Sequence, residues 1–396
     1  EARGGLVSLP ASRAARAELG LPAPDYVHDV APVLAAHCQR CHRPGGIGPW
    51  AMTGYEVVRG WAPMMREVIR TRRMPPWHAD PDASALRSDL PLSVAEAQAI
   101  VHWAEEGARR GDGDDPLAIP LPEAPVWPLG EPDLLFTLPE QKVPANGVIP
   151  YRHVETDLGL TEPTWICAAQ VAAGNRGALH HANVLHVDSD MIASGRRGAA
   201  LWQNNLLSSY VPGMYEGDVW PSGTGRLLLP GEKLRTTLHY NTTGKRERDV
   251  TRIGLYRCES PPERVYRVKA VLDMDLTIPA GAVMDHVASW RPDGPIRIFR
   301  IFPHMHYRGA AFTLEVETPD GDRRTLLRVP RYDFGWQRWY DLAAPVDLPA
   351  GSTVIATTTF DNTAENPANP DPGRAVPWGE QSDDEMAIGY VAWEAL

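Results

Sequence analysis

Two histidines one residue apart, His304 and His306, stand in the stretch Arg300-Ile301-Phe302-Pro303-His304-Met305-His306-Tyr307-Arg308-Gly309. In an extended strand, residues i and i+2 point to the same face. The spacing therefore presents two imidazoles side by side, as a metal ion requires. Further metal-type residues recur along the chain. His180-His181 follows a glycine-containing lead-in, Gly174-Asn175-Arg176-Gly177. Adjacent strand residues face opposite sides, so both reach one metal only at a bend or a strand start. His239 lies in the β-type run Leu238-His239-Tyr240, and Met386 follows Asp383-Asp384-Glu385 at the entrance to a final strand. His186 is a further candidate near the pair. Three imidazoles suit copper, zinc, iron or nickel; two imidazoles and a thioether favour copper, because soft sulfur stabilises Cu(I). Taken singly, a histidine such as His239 is more often a satisfied core or surface group, and Met386 more often packing.

Upstream, Cys38-Gln39-Arg40-Cys41-His42 reads C-x-x-C-H, the attachment pattern of c-type haem. The two thiols would form thioethers with the haem vinyls, and His42 would be an axial iron ligand. A redox C-x-x-C lacks a thioredoxin-like context here, and a four-thiolate zinc site lacks its second pair. Arg73-Met74-Pro75-Pro76-Trp77-His78 resembles the sixth-ligand loop of class I cytochromes c. Met74 is the expected distal ligand; His78 is its rival and would give a much lower potential. Covalent haem attachment happens outside the cytoplasm, so the expected location is periplasmic or secreted. Cys167 and Cys258 remain, and the sequence leaves open a disulfide or two buried thiols.

The elements that must position these residues follow from composition and periodicity. A chain of 396 residues is too long for one ordinary core, and its 38 prolines and 34 glycines favour short strands and turns. A net charge of −11 with pI near 5.6 argues against nucleic acid or an anionic membrane as partner. No apolar run approaches the ~20 residues of a membrane span, and the absence of a signal peptide at Glu1 fits a mature, processed form. Residues 1–24 read as an arm. Helical spacing is expected over Tyr26–Ala36, over Tyr55–Thr71, and from Ser93, where Ser93 and Glu96 make a capping-box pattern. Trp50, Trp61 and Trp77 are expected to wall the haem. From Asp133 short apolar runs separated by Gly, Pro, Asn and Asp are all-β punctuation. The expected fold class is thus multidomain: a small all-α cytochrome c domain over 1–115, then two all-β sandwich domains. The first would span 116–262, including a Pro-rich linker, and the second 263–396.

The motifs His-His, His, His-x-His and Asp-Glu-Met, in that order across residues 130–396, resemble the copper type II ascorbate-dependent monooxygenases. That is the family of peptidylglycine α-hydroxylating monooxygenase and dopamine β-monooxygenase. The resemblance implies two copper ions on facing jelly-roll-like sandwiches. His180, His181 and His239 would hold the electron-transferring copper. His304, His306 and Met386 would hold the catalytic copper, where O2 binds; His186 is not carried over. The family reaction inserts one oxygen atom into an unactivated or benzylic C–H bond and releases the other as water. Two departures matter. A haem tethered in the same chain would deliver electrons at high effective concentration, an order that looks like a bacterial branch of the family. And where peptide-amidating members grip a carboxylate with Arg and Asn, this chain has Phe302 and Ile388, with Tyr390 retained. An apolar wall leaves a carboxylate unpaired, so the expected substrate is a small apolar or aromatic molecule, with Tyr390 as a polar anchor. The implied partners are that substrate, O2 and an external electron donor, either a small reductant or a redox protein. Two other classes fit parts of the pattern: a non-catalytic haem and copper electron-transfer protein, and a sensor or binding module.

Overall fold

The computed structural model describes residues 22–83, 85–87, 91–119, 121, 125–194, 204–211 and 217–396. The expected arm lies outside them up to residue 21. The chain divides into two compact units, Glu1–Trp77 with Ser88–Pro125, and His78–Arg87 with Val126–Leu396.

In the smaller unit a π-helical turn, Tyr26–Val30, is capped by the Asp25 side chain, which accepts from the His28 amide. It runs into α1 (Ala31–His37), where Pro32 sits at the start of the helix and its missing amide proton costs nothing. α2 (Tyr55–Arg70) buries Val58, Ala62, Met65 and Ile69, spaced three or four apart. α3 (Val94–Glu105) begins with a complete capping box. The Ser93 hydroxyl accepts from the Glu96 amide, and the Glu96 carboxylate accepts from the Ser93 amide. Such a cap contributes about 1 kcal/mol. Asp115 accepts from the Tyr26 hydroxyl and the Tyr55 amide, both at 2.7 Å, and so ties the first turn to α2.

Nine strands of the larger unit carry or flank the candidate site: β1 (Leu86–Arg87), β2 (Arg152–Asp157), β3 (Leu179–Val187), β4 (Leu206–Tyr210), β5 (Lys233–Tyr240), β6 (Arg267–Leu272), β7 (Ile296–His304), β8 (Tyr340–Leu348) and β9 (Ile388–Ala395). One sheet has the order β2-β5-β3-β4, the other β1-β8-β7-β9-β6. Their apolar faces meet in one core, which holds Leu185 and Leu238 from the first sheet and Phe302, Ile388 and Tyr390 from the second. A six-stranded and a further four-stranded sheet complete the unit with two short ribbons. Cys167 and Cys258 form a disulfide, with Cα atoms 5.1 Å apart.

The expected fold class needs correction. The chain is mostly β, 38% strand against 14% helix, and among the described residues no all-α cytochrome c domain is seen. His78–Arg87 belongs to the larger unit, and β1 adds an edge strand to β8, with Leu86 opposite Leu342 and Arg87 opposite Asp341. Helical spacing was read locally, but strand pairing over more than 250 residues of separation decides where this segment goes. The two separate jelly-roll-like sandwiches are also not the description that fits, because one compact unit holds all of Val126–Leu396.

Candidate metal centre

The pairing of β3 with β5 explains how adjacent histidines come to one side. His181 lies opposite His239, but Tyr240 lies opposite Leu179. His180 is the extra residue of a β-bulge, and a bulge re-aims a side chain that regular pleating would send away. The rings of His180 and His181 are 4.0 Å apart, and His239 lies 5.3 and 5.5 Å from them. One ligand atom from each of the three falls within 4.8 Å of the others. The Nδ1 atoms of His181 and His239 approach to 3.5 Å, and His180 Nδ1 is buried with no hydrogen-bond partner among the described residues. At His181 and His239 the facing ring atoms are thus the Nδ1 nitrogens.

The second set forms where β7 ends. His304 pairs with Ile388, so the approach to β9 brings Met386 to the same place. The His304 and His306 rings stand perpendicular, 5.2 Å apart. His304 Nδ1 meets Gln337 Oε1, and His306 Nδ1 meets the Asp384 carbonyl at 3.1 Å. An oxygen acceptor at Nδ1 fixes the proton there and leaves Nε2 bare for a metal. His306 Nε2 is buried without a partner among the described residues, as such an assignment requires.

The two sets share a cavity of about 20 Å³, lined among others by His181, His239, His304, Met386, Tyr151 and Gln337. That volume holds about one water molecule. Gln337 spans the sets, since its Nε2 lies 3.3 Å from His181 Nε2 while its Oε1 serves His304. Phe334 closes the group, its ring 5.4 to 6.0 Å from His180, His181, His239 and His306. Burial pulls His180 and His304 down to about 4 and His239 to about 3; His181 and His306 are pulled well below the usual range. All five rings are thus neutral at pH 7, the form that binds metal.

Behind the second set is a buried polar platform. The Glu385 carboxylate accepts from the amides of His306 at 2.8 Å and Arg308 at 2.6 Å. Burial pushes its carboxyl up to about 8. Arg308, also fully buried, donates to Asn362 Oδ1 and to the Asp383 carbonyl. Glu385, Arg308, Gln337 and Tyr151 join the site without a motif of their own. Glu385 was visible only as part of Asp-Glu-Met, and Gln337 carries no sequence signal.

Phe302 lines the cavity, and Tyr390 stacks behind it at 5.8 Å, 2% exposed and off the cavity wall. Ile388 is fully buried. The expected polar anchor is therefore not at the cavity: a hydroxyl on the strand face beneath Phe302 is walled off by that ring. His186 points elsewhere, with Nε2 2.7 Å from Glu232.

The C-x-x-C-H motif lies in the smaller unit. The amides of Cys41 and His42 both donate to the Cys38 carbonyl, a turn that follows α1 directly. Neither cysteine is in a disulfide, and burial, then the neighbouring Cys41, pushes the Cys38 thiol up to about 12. His42 Nδ1 meets the Trp50 carbonyl at 3.1 Å, which leaves Nε2 open. Trp50 lies 5.2 Å from the His42 ring and stacks on Trp61 at 5.0 Å. Beside it, α2 turns out an apolar stripe, Val57, Trp61 and Met64. Two cysteines outside any disulfide, an imidazole held through Nδ1 and exposed apolar side chains fit a covalently attached flat macrocycle. Met74, half-buried after α2, belongs to the same unit as His42; His78 belongs to the larger one.

No protein-family profile matches the chain, and no curated protein matches it. Among solved structures it is similar to the VP2 subviral particle of infectious bursal disease virus, at 12% identity over 68% of this chain and 76% of that one, with a TM-score of 0.18. It is also similar to a xanthan lyase of Paenibacillus, at 12% identity over 75% of this chain and 29% of that one, with a TM-score of 0.19. Likeness at that level carries no argument about function. Among the described residues no helix is long and apolar enough to cross a membrane.

Proposed function

We propose that this protein is a copper-dependent monooxygenase that inserts one atom of O2 into a C–H bond of a small apolar or aromatic molecule, fed with electrons by a covalently attached haem. One observation carries the reading: two ligand sets of the composition copper takes, three imidazoles and two imidazoles with a thioether, border one buried cavity with every ring neutral. His180, His181 and His239 would hold one copper, and His304, His306 and Met386 the other. Cys38, Cys41 and His42 would hold the haem, and Met74 would be a further iron ligand. Bound there, the coppers supply one-electron chemistry and O2 reduction, and the haem supplies electrons.

The chain's own residues orient and exclude. Gln337 and the Asp384 carbonyl hold the Nδ1 protons of His304 and His306. Glu385 pins the backbone between His306 and Arg308. Phe302, with Trp339 5.4 Å from its ring, keeps its part of the wall apolar and offers no charge to a carboxylate. The second oxygen atom leaves as water, taking two electrons and two protons; an external small reductant or redox protein renews the electrons. The Cys167–Cys258 disulfide supports a periplasmic or secreted location.

The test is O2 uptake by the copper- and haem-loaded protein with candidate substrates, read with mass spectrometry for a gain of one oxygen. His304→Ala should abolish product while leaving the haem spectrum intact, and Cys38→Ala should prevent covalent haem attachment. A second reading, a non-catalytic electron-transfer protein, is favoured by the cavity itself, which has room for a water but not an organic substrate. Rapid reoxidation with no oxygenated product would select it.

A further inference from the structure

A groove of about 780 Å³ opens elsewhere in the larger unit and shares no lining residue with the histidine cavity. Its size is that of a small-molecule site. Trp290 and Trp393 line it with rings 5.1 Å apart. Three cations line it as well. Arg267 lies over the Trp393 ring at 5.3 Å, and Lys269 over Trp290 at 6.0 Å. Arg226 donates to the carbonyls of Leu206 and Asn204 and to Asn205 Oδ1. None of the three makes an ion pair with a carboxylate among the described residues.

The carboxylates nearby are committed or peripheral. Glu232 already accepts from His186 Nε2, the Leu229 and Ser189 amides and the Ser189 hydroxyl, at 2.7 to 3.1 Å. Asp188 accepts from the Met191 amide at 2.8 Å. Asp293 is exposed at the rim. Burial pulls Arg226 down to about 10 and also lowers Lys269, so an anion beside them would offset a desolvation cost already present.

We propose that this groove binds a small organic anion with a flat aromatic body. The ring lies against the tryptophans, and the acid group meets Arg226, Arg267 and Lys269. Aromatic faces supply the apolar area, and the unpaired cations supply charge-assisted hydrogen bonds. The inference does not rest on the proposed oxygenase activity.

The test is calorimetric titration of the full chain with 1-naphthalenesulfonate, followed in parallel by tryptophan fluorescence. The expected result is saturable one-to-one binding with a change in emission. The double variant Arg267→Met, Lys269→Met should bind at least tenfold more weakly, and neutral 1-naphthalenemethanol should bind the native chain at least tenfold more weakly than the sulfonate. His304→Ala should bind as the native chain does. The neutral-analogue comparison needs no variant and stands even where the double variant fails to fold. No saturation up to millimolar probe, equal affinity for the neutral analogue, an unchanged affinity in a folded double variant, or loss of binding in His304→Ala would each overturn the proposal.

Discussion

The two histidine sets are held in place by different means. His180, His181 and His239 owe their convergence to backbone: a bulge in β3 and the register of β3 against β5. His304, His306 and Met386 owe theirs to a strand end and to buried polar side chains, Gln337 and Glu385 above all. A set made by strand register is protected by a whole ladder of hydrogen bonds. A set made by side-chain bonds depends on each of a few residues, so the second set should be the more sensitive to changes away from its ligands.

The largest effect tests whether these are two sites at all. His181→Ala should lower bound copper from two per chain to one, with affinity at the lost set weakened by on the order of a hundredfold or more; His306→Ala should do the same at the other. Metal analysis by mass spectrometry decides it, and loss of both coppers from either variant would merge the sets into one centre.

Acid should weaken the metal-free protein next most. The folded imidazoles titrate below 6.5, near 4 for His180 and His304 and near 3 for His239. The unfolded chain therefore takes up protons first as pH falls. Their contribution is complete above pH 6.5 and is lost on the way to pH 4, roughly 3 kcal/mol for a residue such as His239. Glu385, pushed up to about 8, tilts the curve the other way. The comparison is thus between the acid limb of the thermal stability curve in the native chain and in His239→Gln, which should be shallower.

Glu385→Gln should separate the sets further. Its amide keeps only one of two acceptors for the His306 and Arg308 amides, so copper affinity should fall ~10-fold at the second set and stay unchanged at the first. Two resolved copper signals in paramagnetic resonance would show which set moves. The smallest expected effect is that of Gln337→Leu, about 1–2 kcal/mol of stability for the lost hydrogen bonds to His304 and to the Phe334 carbonyl in a buried place. Because Gln337 touches both His181 and His304, both copper signals should shift; a shift in only one would mean the sets are independent.

Much of the site was legible because its chemistry is written in residue types at short spacing. C-x-x-C-H and His-x-His are local patterns, and the Ser93–Glu96 capping box forms within one helical turn. The adjacency of His180 and His181 was legible only as a puzzle, since regular pleating would part them, and the bulge that resolves it depends on how β5 pairs with β3. The expected role of Tyr390 followed its position after Met386; its burial behind Phe302 follows from β9 pairing with β7, where the two residues stand directly opposite.

By itself the sequence determined the histidine spacings, the cysteine pair ahead of its histidine, and the largely β character from Asp133 onward, since each depends on residues near one another in the chain. Only the tertiary structure decided that Cys167 bonds Cys258, that residues 78–87 leave the helical unit to edge a sheet, and that Gln337 stands between two histidine sets. Gln337 and His181 are 156 positions apart. No local propensity acts over that distance; which strands pair, in what register, and which apolar faces share a core settle it.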